Sequence, residues 1–147
     1  MSKTGLQKEA IFRHEFTVSS DVVDQNGHVN NVVYVQWMQD VAVLHSDLVG
    51  GTRAMEAAGA TWVVRSHKVE YLRPAFAGDH VEALTWVVDF RRVRSLRRYK
   101  FVRAMDNTVL AKGETEWVFV DAGTGRPRAI PDDVAGAFPV ISKGQAP

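Results

Sequence analysis

The stretch that decides the fold runs from residue 24 to residue 51 and reads DQNGHVNNVVYVQWMQDVAVLHSDLVGG. From Val32 onward its apolar residues recur with a period of about 3.6, which predicts a helix. The repeat forms two rows: Val33, Trp37, Val41, Leu44 and Leu48 in one, and Tyr34, Met38 and Ala42 in the other. Polar side chains occupy so little of this helix that we expect it to be largely wrapped by other elements.

Residues suited to begin and end a helix flank this stretch. Asn30 or Asn31 can act as N-cap and accept a hydrogen bond from the first free N–H groups. At the other end, Gly50 and Gly51 tolerate the left-handed conformation in which helices commonly stop. We therefore expect one long helix between these two pairs of residues.

Strand patterns dominate the rest of the chain. One strand is expected before the helix, over residues 12–19, and four after it, over residues 61–72, 80–90, 96–105 and 108–120. The last strand alternates most clearly, because Lys112, Glu114 and Glu116 share one face and mainly apolar or small residues share the other. The order predicts an α+β fold in which antiparallel strands curl around the helix, with a short further helix after Pro131.

The composition describes one domain and excludes several classes of protein. The chain has 147 residues, 18 Lys and Arg against 17 Asp and Glu, and a formal net charge of +1. This length predicts a single domain over residues 1–147, and the near-zero net charge argues against nucleic acid as a partner. The first ten residues hold no apolar core of signal-peptide length, and no apolar run reaches the roughly 18 residues of a membrane span.

The chain contains no cysteine. This excludes a thiolate nucleophile, a zinc finger, an iron–sulfur cluster and a disulfide scaffold, and it favours a cytoplasmic location. The histidines are scattered without the spacing of a metal site, so we predict no metal.

The residues that open the helix, 24–31, bring together an acid, an imidazole, several amides and a glycine. Free N–H groups and the positive end of the helix dipole should point toward anything bound there. That suits the oxyanion formed when water attacks a carbonyl carbon, which each preorganised N–H donor stabilises by about 3 kcal/mol. Asp24 could act as base or nucleophile, Asn26 could hold it or a water, and His28 could polarise the carbonyl or carry a proton.

A purely structural turn explains the same residue types. Asp24, Asn26 and Asn30 are residues that satisfy backbone N–H groups in Asx turns and helix caps. The residue types alone leave both interpretations open.

A family resemblance favours the catalytic interpretation. Asp24, Gly27, His28, Val29, Asn30, Asn31 and Tyr34 fit the pattern D-x-x-G-H-V-N-N-x-x-Y. In this respect the segment resembles the active-site signature of hotdog-fold thioesterases of the 4-hydroxybenzoyl-CoA thioesterase family. Plant acyl-ACP thioesterases, which share the fold, carry D-x-N-x-H-V-N-N at this place, and Asn26 fits that pattern too. The resemblance implies a hotdog fold over about residues 10–131, a curved antiparallel sheet wrapped around one long central helix.

The resemblance also implies roles for the residues that match. Asp24 corresponds to the family's general base or nucleophile, assisted by Asn26 and His28, while the backbone N–H groups of Gly27 and His28 would receive the oxyanion. Asn30, Asn31 and Tyr34 are expected to bind substrate. The chain departs from its relatives at Val22, where many have a second Asp, and at Asp40, where they commonly have Glu. Asp40 is therefore a secondary candidate, with a solvated residue on the polar face of the helix as its alternative.

Basic residues are concentrated between Asp89 and Arg103, a segment that holds seven of the 18 Lys and Arg: Arg91, Arg92, Arg94, Arg97, Arg98, Lys100 and Arg103. If the two strands join near Val93, then Arg91, Arg92 and Arg94 cluster at the hairpin end, where guanidinium groups could grip phosphates. In the 4-hydroxybenzoyl-CoA enzyme a corresponding basic run holds the CoA nucleotide. A charged, aggregation-resistant strand rim is the alternative.

These observations predict an acyl-CoA thioesterase that releases a free carboxylic acid and CoA without metal or redox cofactor. By resemblance to other hotdog proteins, we expect a homodimer with active sites at the interface, or a tetramer built from two such dimers. An acyl-ACP thioesterase, a non-catalytic acyl-CoA-binding protein and a hotdog dehydratase are the alternatives.

Overall fold

The computed structural model of the chain describes residues 10–141 and 143–147. The remainder of the predicted 1–147 domain lies outside the described residues. The strands are β1 (Phe12–Thr17), β2 (Ala60–Tyr71), β3 (His80–Phe90), β4 (Arg94–Arg103) and β5 (Thr108–Asp121). The helices are α1 (Asn31–Val49), α2 (Gly51–Ala57) and α3 (Asp132–Ala135), and two 3-10 turns cover Ser20–Val22 and Lys143–Gln145.

The five strands form one antiparallel sheet in the order β1-β3-β4-β5-β2. All five predicted strands are present, and their bounds differ from the predicted ones by two residues or fewer. The sheet curves around α1, so the predicted hotdog fold is confirmed. Strands β1 and β2 form its two edges.

The helix α1 packs on the sheet through one face. Tyr34, Met38, Val41 and Ala42 are buried in the main core cluster together with residues from the strands. At the closest approach, a Cβ atom placed on Gly113 of β5 would lie 2.8 Å from the Met38 sulfur. A residue without a side chain at position 113 therefore lets the helix approach the sheet closely.

The opposite face of α1 remains uncovered within one chain. Val43, Leu44 and Leu48 are 54%, 40% and 59% exposed. The expectation that the helix is largely wrapped is therefore wrong for a single chain, because the sheet reaches only one side of it. The two apolar rows also differ in burial, since the row of Tyr34 and Met38 faces the core and the row of Leu44 and Leu48 ends in solvent.

The end of α1 is only partly as predicted. Gly50 adopts φ +86° and its N–H donates to the Ser46 carbonyl, so it ends the helix as expected. Gly51, predicted to belong to the stop, instead begins α2. It is buried against the Phe138 ring, which a Cβ at position 51 would overlap. This contact comes from a residue far along the chain, so the local sequence could not reveal it.

None of the helices among residues 10–141 and 143–147 has the length and mean hydropathy needed to cross a membrane.

Candidate active site

A tight loop connects the first 3-10 turn to α1 and carries Asp24. The Asp24 N–H donates to the His28 carbonyl at 2.7 Å, and the Gly27 N–H donates to the Asp24 carbonyl at 3.0 Å. Gly27 adopts φ +80°, a conformation that residues with a side chain rarely take. The loop is thus closed on itself immediately before the helix.

The Asp24 carboxylate is anchored by one of its two oxygens. Its Oδ1 accepts hydrogen bonds from the N–H groups of Asn26 at 2.9 Å and His28 at 3.2 Å. The side chain is exposed, and Oδ2 makes no hydrogen bond with any group in the described part of the chain. The structural turn is therefore present, and it leaves one oxygen oriented and available to a reactant.

The expected oxyanion donors are engaged elsewhere. The N–H of Gly27 bonds to the Asp24 carbonyl and the N–H of His28 to the Asp24 carboxylate. A loop this short uses its own donors to close, so these two groups do not point at a ligand. The assignment of the oxyanion to Gly27 and His28 therefore does not fit the geometry.

The start of α1 offers a different donor. Asn30 is the N-cap, as predicted, because its Oδ1 accepts from the Val32 N–H at 3.0 Å and its carbonyl accepts from the Val33 N–H at 2.9 Å. The backbone N–H of Asn31, by contrast, donates to no group among the described residues. It belongs to the first helical turn, where N–H groups lack an intrahelical partner and the dipole is positive.

A groove of about 210 Å³ lies beside this helix start. Its walls include three predicted site residues and five others: His28, Asn31 and Tyr34, with Val29, Tyr71, Leu72, Arg73 and Pro74. The Tyr71 hydroxyl donates to the Asn31 carbonyl at 2.8 Å, and the His28 ring contacts the Phe76 ring edge-on at 5.2 Å. The sequence alone does not indicate Tyr71 and Arg73, since the pairing of β2 in the sheet brings its end to this loop.

Tyr34 is mainly a packing residue. It is 3% exposed, and its ring lies against those of Trp37, Tyr71 and Phe101. Burial, with smaller contributions from Tyr71 and Asp79, raises the pKa of Tyr34 to about 12. The phenol therefore stays neutral at physiological pH and borders the groove without acting as a base.

Asp40 lies away from this groove. It is exposed on α1, and its Oδ1 accepts from the Gln36 side-chain amide at 2.8 Å. Within one chain its contacts are those of a solvated helix residue.

The basic hairpin forms where the sequence predicted it. The Arg91 N–H donates to the Arg94 carbonyl at 2.7 Å, so the turn falls at residues 91–93 between β3 and β4. Arg91 pairs with Asp89 and Arg94 with Glu116, both at 3.4 Å. Arg92 is exposed and forms no ion pair among the described residues.

This hairpin and Asp24 lie at opposite ends of the sheet. His28 bridges to Phe76, close to the first residue of β3, whereas the hairpin follows the last residue of β3. At about 3.3 Å per residue, β3 separates them by about 33 Å. The sequence analysis placed Arg91, Arg92, Arg94 and Asp24 around one substrate, and a single chain does not bring them together.

One member of the basic segment points inward. The alternation of β4 buries Ser95, Arg97, Tyr99 and Phe101, and Arg97 is only 5% exposed. Arg97 is therefore buried and does not belong to the predicted surface patch of seven basic residues.

A long helix on a curved five-stranded antiparallel sheet, with a carboxylate held in the loop that opens the helix, defines a hotdog-fold domain of the thioesterase type. The chain belongs to the Thioesterase-like superfamily, whose sequence profile matches residues 18–138. The predicted resemblance is therefore confirmed at the level of the family.

Two curated proteins are similar to the chain over most of its length. The acyl-CoA thioester hydrolase YbgC of Escherichia coli is 28% identical over 131 residues, which cover 87% of this chain and 96% of that protein. The chloroplastic oleoyl-acyl carrier protein thioesterase 1 of Arabidopsis thaliana is 26% identical over 138 residues, covering 88% of this chain and 38% of that protein. The chain thus spans little more than a third of the length of this plant relative.

Solved structures share the fold. Slr0204, a 1,4-dihydroxy-2-naphthoyl-CoA thioesterase from Synechocystis, superposes with a TM-score of 0.78 at 15% identity over 87% of this chain and 95% of that one. SAV2348 from Staphylococcus aureus, solved in complex with CoA, gives a TM-score of 0.79 at 21% identity over 90% and 88% of the two chains.

Proposed function

We propose that this chain hydrolyses an acyl-CoA thioester to the free carboxylic acid and CoA, with Asp24 as general base or nucleophile. The observation that carries the proposal is that the two oxygens of the Asp24 carboxylate have different environments. Two backbone N–H groups hold Oδ1, and Oδ2 is left exposed next to the helix start. Membership of the thioesterase family and the similarity to YbgC over nearly its whole length support the same reaction.

In the general-base route, Asp24 Oδ2 takes a proton from a water whose oxygen attacks the thioester carbonyl carbon. The carbonyl oxygen becomes an oxyanion, which the Asn31 N–H and the positive end of the helix dipole can stabilise. Collapse of the intermediate breaks the C–S bond, and the CoA sulfur leaves with the proton that Asp24 had taken. The His28 ring, on the wall of the same groove, orients the thioester or assists this proton transfer.

In the nucleophilic route, Asp24 Oδ2 attacks the carbonyl carbon directly and forms a mixed anhydride as the C–S bond breaks. Water then hydrolyses the anhydride and restores the carboxylate. Both routes use the same groups, and neither requires a metal or a redox cofactor.

A homodimer explains how the basic hairpin reaches the substrate. Strand β2 is a free sheet edge that begins at the hairpin end of the sheet and finishes at Tyr71, beside Asn31. If two β2 edges pair antiparallel about a two-fold axis, the hairpin end of one chain meets the Asp24 end of the other. The partner's basic hairpin then approaches the groove, where its guanidinium groups can bind the CoA phosphates.

The uncovered apolar face of α1 agrees with such an assembly, because a contiguous exposed apolar patch commonly marks a contact between chains. A tetramer made of two dimers is the larger form of the same proposal. A cytoplasmic location also remains a prediction.

The test is a thiol-release assay that compares one acyl group on three carriers: CoA, acyl carrier protein and pantetheine. A screen of aromatic and aliphatic acyl groups first finds the best substrate. We expect the CoA thioester to be hydrolysed fastest and the pantetheine thioester to show a higher KM, since it lacks the nucleotide phosphates. Faster hydrolysis of the carrier-protein thioester would assign the chain to the acyl-ACP thioesterases, the activity named for its plant relative.

Two other results would contradict hydrolysis altogether. Tight binding of acyl-CoA without thiol release would identify a non-catalytic acyl-CoA-binding protein. Double-bond formation on a hydroxyacyl thioester, without thiol release, would identify a dehydratase.

A further inference from the structure

A second cavity lies between the C-terminal half of α1 and the hairpin end of the sheet. It encloses about 200 Å³. Its walls are mainly apolar and include the rings of Trp62, Phe90, Trp117 and Phe138. Ser46, on the same wall, follows Asn31 by about four helical turns, or about 22 Å. Within one chain this cavity is therefore separate from the groove beside the start of α1.

Arg97, which is only 5% exposed, lines this cavity. Its Nη1 donates to His45 Nδ1 at 2.9 Å and to the Thr85 hydroxyl at 3.1 Å. Because a guanidinium can only donate, Nδ1 of His45 accepts this hydrogen bond. The Phe138 ring lies against the same group, with 5.5 Å between its centroid and Arg97 Cζ. None of these three contacts is with a carboxylate.

Among the residues that the structure describes, no carboxylate pairs with this charge. Neighbouring arginines of β4 pair with acids, Arg94 with Glu116 and Arg98 with Glu114. Within residues 10–141 and 143–147, however, no Asp or Glu forms an ion pair with Arg97, and its Nε and Nη2 hydrogens make no hydrogen bond. Burial lowers the pKa of Arg97, but a guanidinium keeps its proton at any physiological pH. A buried cation is normally stabilised by an anion.

We propose that this cavity binds a small monocarboxylate, whose anionic group pairs with Arg97 and whose apolar body packs between Trp62 and Trp117. The size fits, because an apolar cavity of about 150 Å³ holds a benzene ring. The volume here accommodates a ring or a short alkyl chain with its carboxylate. The guanidinium fork matches a carboxylate in geometry as well as in charge.

This site would take the class of molecule that a thioester hydrolase releases. That connection to the reaction product rests on the proposed function, whereas the binding itself does not. The two proposals can therefore fail separately, since binding is measured without any thioester.

The experiment titrates the ¹⁵N-labelled protein with phenylacetate and, in parallel, with neutral phenylacetamide, and follows the indole N–H signals of the four tryptophans. Trp62 and Trp117 line the cavity, whereas Trp37 packs on Tyr34 at the catalytic end and Trp86 lies elsewhere in the sheet. Single Trp→Phe variants assign the signals. Arg97→Met removes the proposed partner, and Arg126→Met, an exposed arginine that does not line the cavity, is the matched control.

We expect phenylacetate to shift the Trp62 and Trp117 signals saturably and to bind at least about tenfold more tightly than phenylacetamide. Arg97→Met should abolish this preference, and Arg126→Met should preserve it. Equal affinity for the two probes, shifts confined to Trp37, or a preference that survives Arg97→Met would overturn the proposal. The comparison of the two probes on the wild-type protein needs no variant, so it decides the matter even if Arg97→Met fails to fold.

Discussion

Replacing Asp24 with Ala should loosen the loop that carries the proposed active site. The substitution removes the acceptor of two backbone hydrogen bonds, from Asn26 at 2.9 Å and His28 at 3.2 Å. Both donors are exposed, so water replaces the carboxylate, and the loss resembles that of a helix cap, about 1 kcal/mol. For a chain of this length, that lowers the melting temperature by about 2–4 °C.

Asp24→Asn provides the matched comparison. Its side-chain oxygen can accept the same two hydrogen bonds, so we expect its stability to stay within about 0.5 kcal/mol of wild type. Asp21→Ala, a nearby exposed acid outside the loop, controls for the loss of a surface charge. Thermal unfolding followed by circular dichroism measures all three variants. If Asp24→Asn melted as low as Asp24→Ala, or if Asp24→Ala melted with wild type, the anchoring of the carboxylate through Oδ1 would be refuted.

Three further predictions concern the substrate, the assembly and acid stability. Arg92→Ala should raise KM for an acyl-CoA about twofold to fivefold with little change in kcat. It should leave KM for the pantetheine thioester unchanged, because that substrate lacks the nucleotide phosphates. Equal KM values for wild type and variant on the CoA thioester would reject phosphate binding by Arg92. Val63 lies on the edge strand β2 and is 42% exposed, so the substitution Val63→Asp should disrupt the dimer, as measured by light scattering. A wild-type protein that is monomeric in the same measurement would contradict the shared site. Thr108 and Arg103 hold the pKa of Asp106 to about 2, below its ordinary 3.8. Its charged form therefore stabilises the fold above pH 3.8 and loses this effect as the pH falls through 2, so the melting temperatures of wild type and Asp106→Asn should converge over that interval. A constant difference would contradict the assignment.

The spacing of apolar residues was enough to predict the long helix and the five strands, because each of these elements turns one face to the core at a regular interval along the chain. The cap at Asn30 and the helix end at Gly50 were predicted for the same reason, since capping depends on residues within one turn. The start of α2 at Gly51 depends instead on Phe138, which is distant in sequence.

The candidate site divides in the same way. The Asx turn at Asp24 is encoded within five residues, so the residue types alone predict it, whereas the catalytic role of Asp24 stays a prediction. The direction of the Gly27 and His28 N–H groups depends on how the loop closes, which residue types alone do not specify. Tyr71 and Arg73 join the groove only through the pairing of β2 with β5.

The environment of the basic residues was the property that the sequence predicted least well. Seven basic residues within fifteen positions indicated a surface patch, yet the strand alternation turns Arg97 into the core while Arg91 and Arg94 pair with acids. A count of charges along the chain does not distinguish these environments, whereas the period of two along β4 does.

The central claim, that the exposed oxygen of Asp24 drives thioester hydrolysis, is tested most directly by the kcat of Asp24→Asn on the best acyl-CoA substrate. This variant keeps the acceptor that holds the loop and removes the base or nucleophile. The account predicts a decrease of about 10²–10⁴-fold in kcat with a melting temperature close to that of wild type, and no decrease for the control Asp21→Asn. A folded Asp24→Asn protein that releases CoA at the wild-type rate would contradict it.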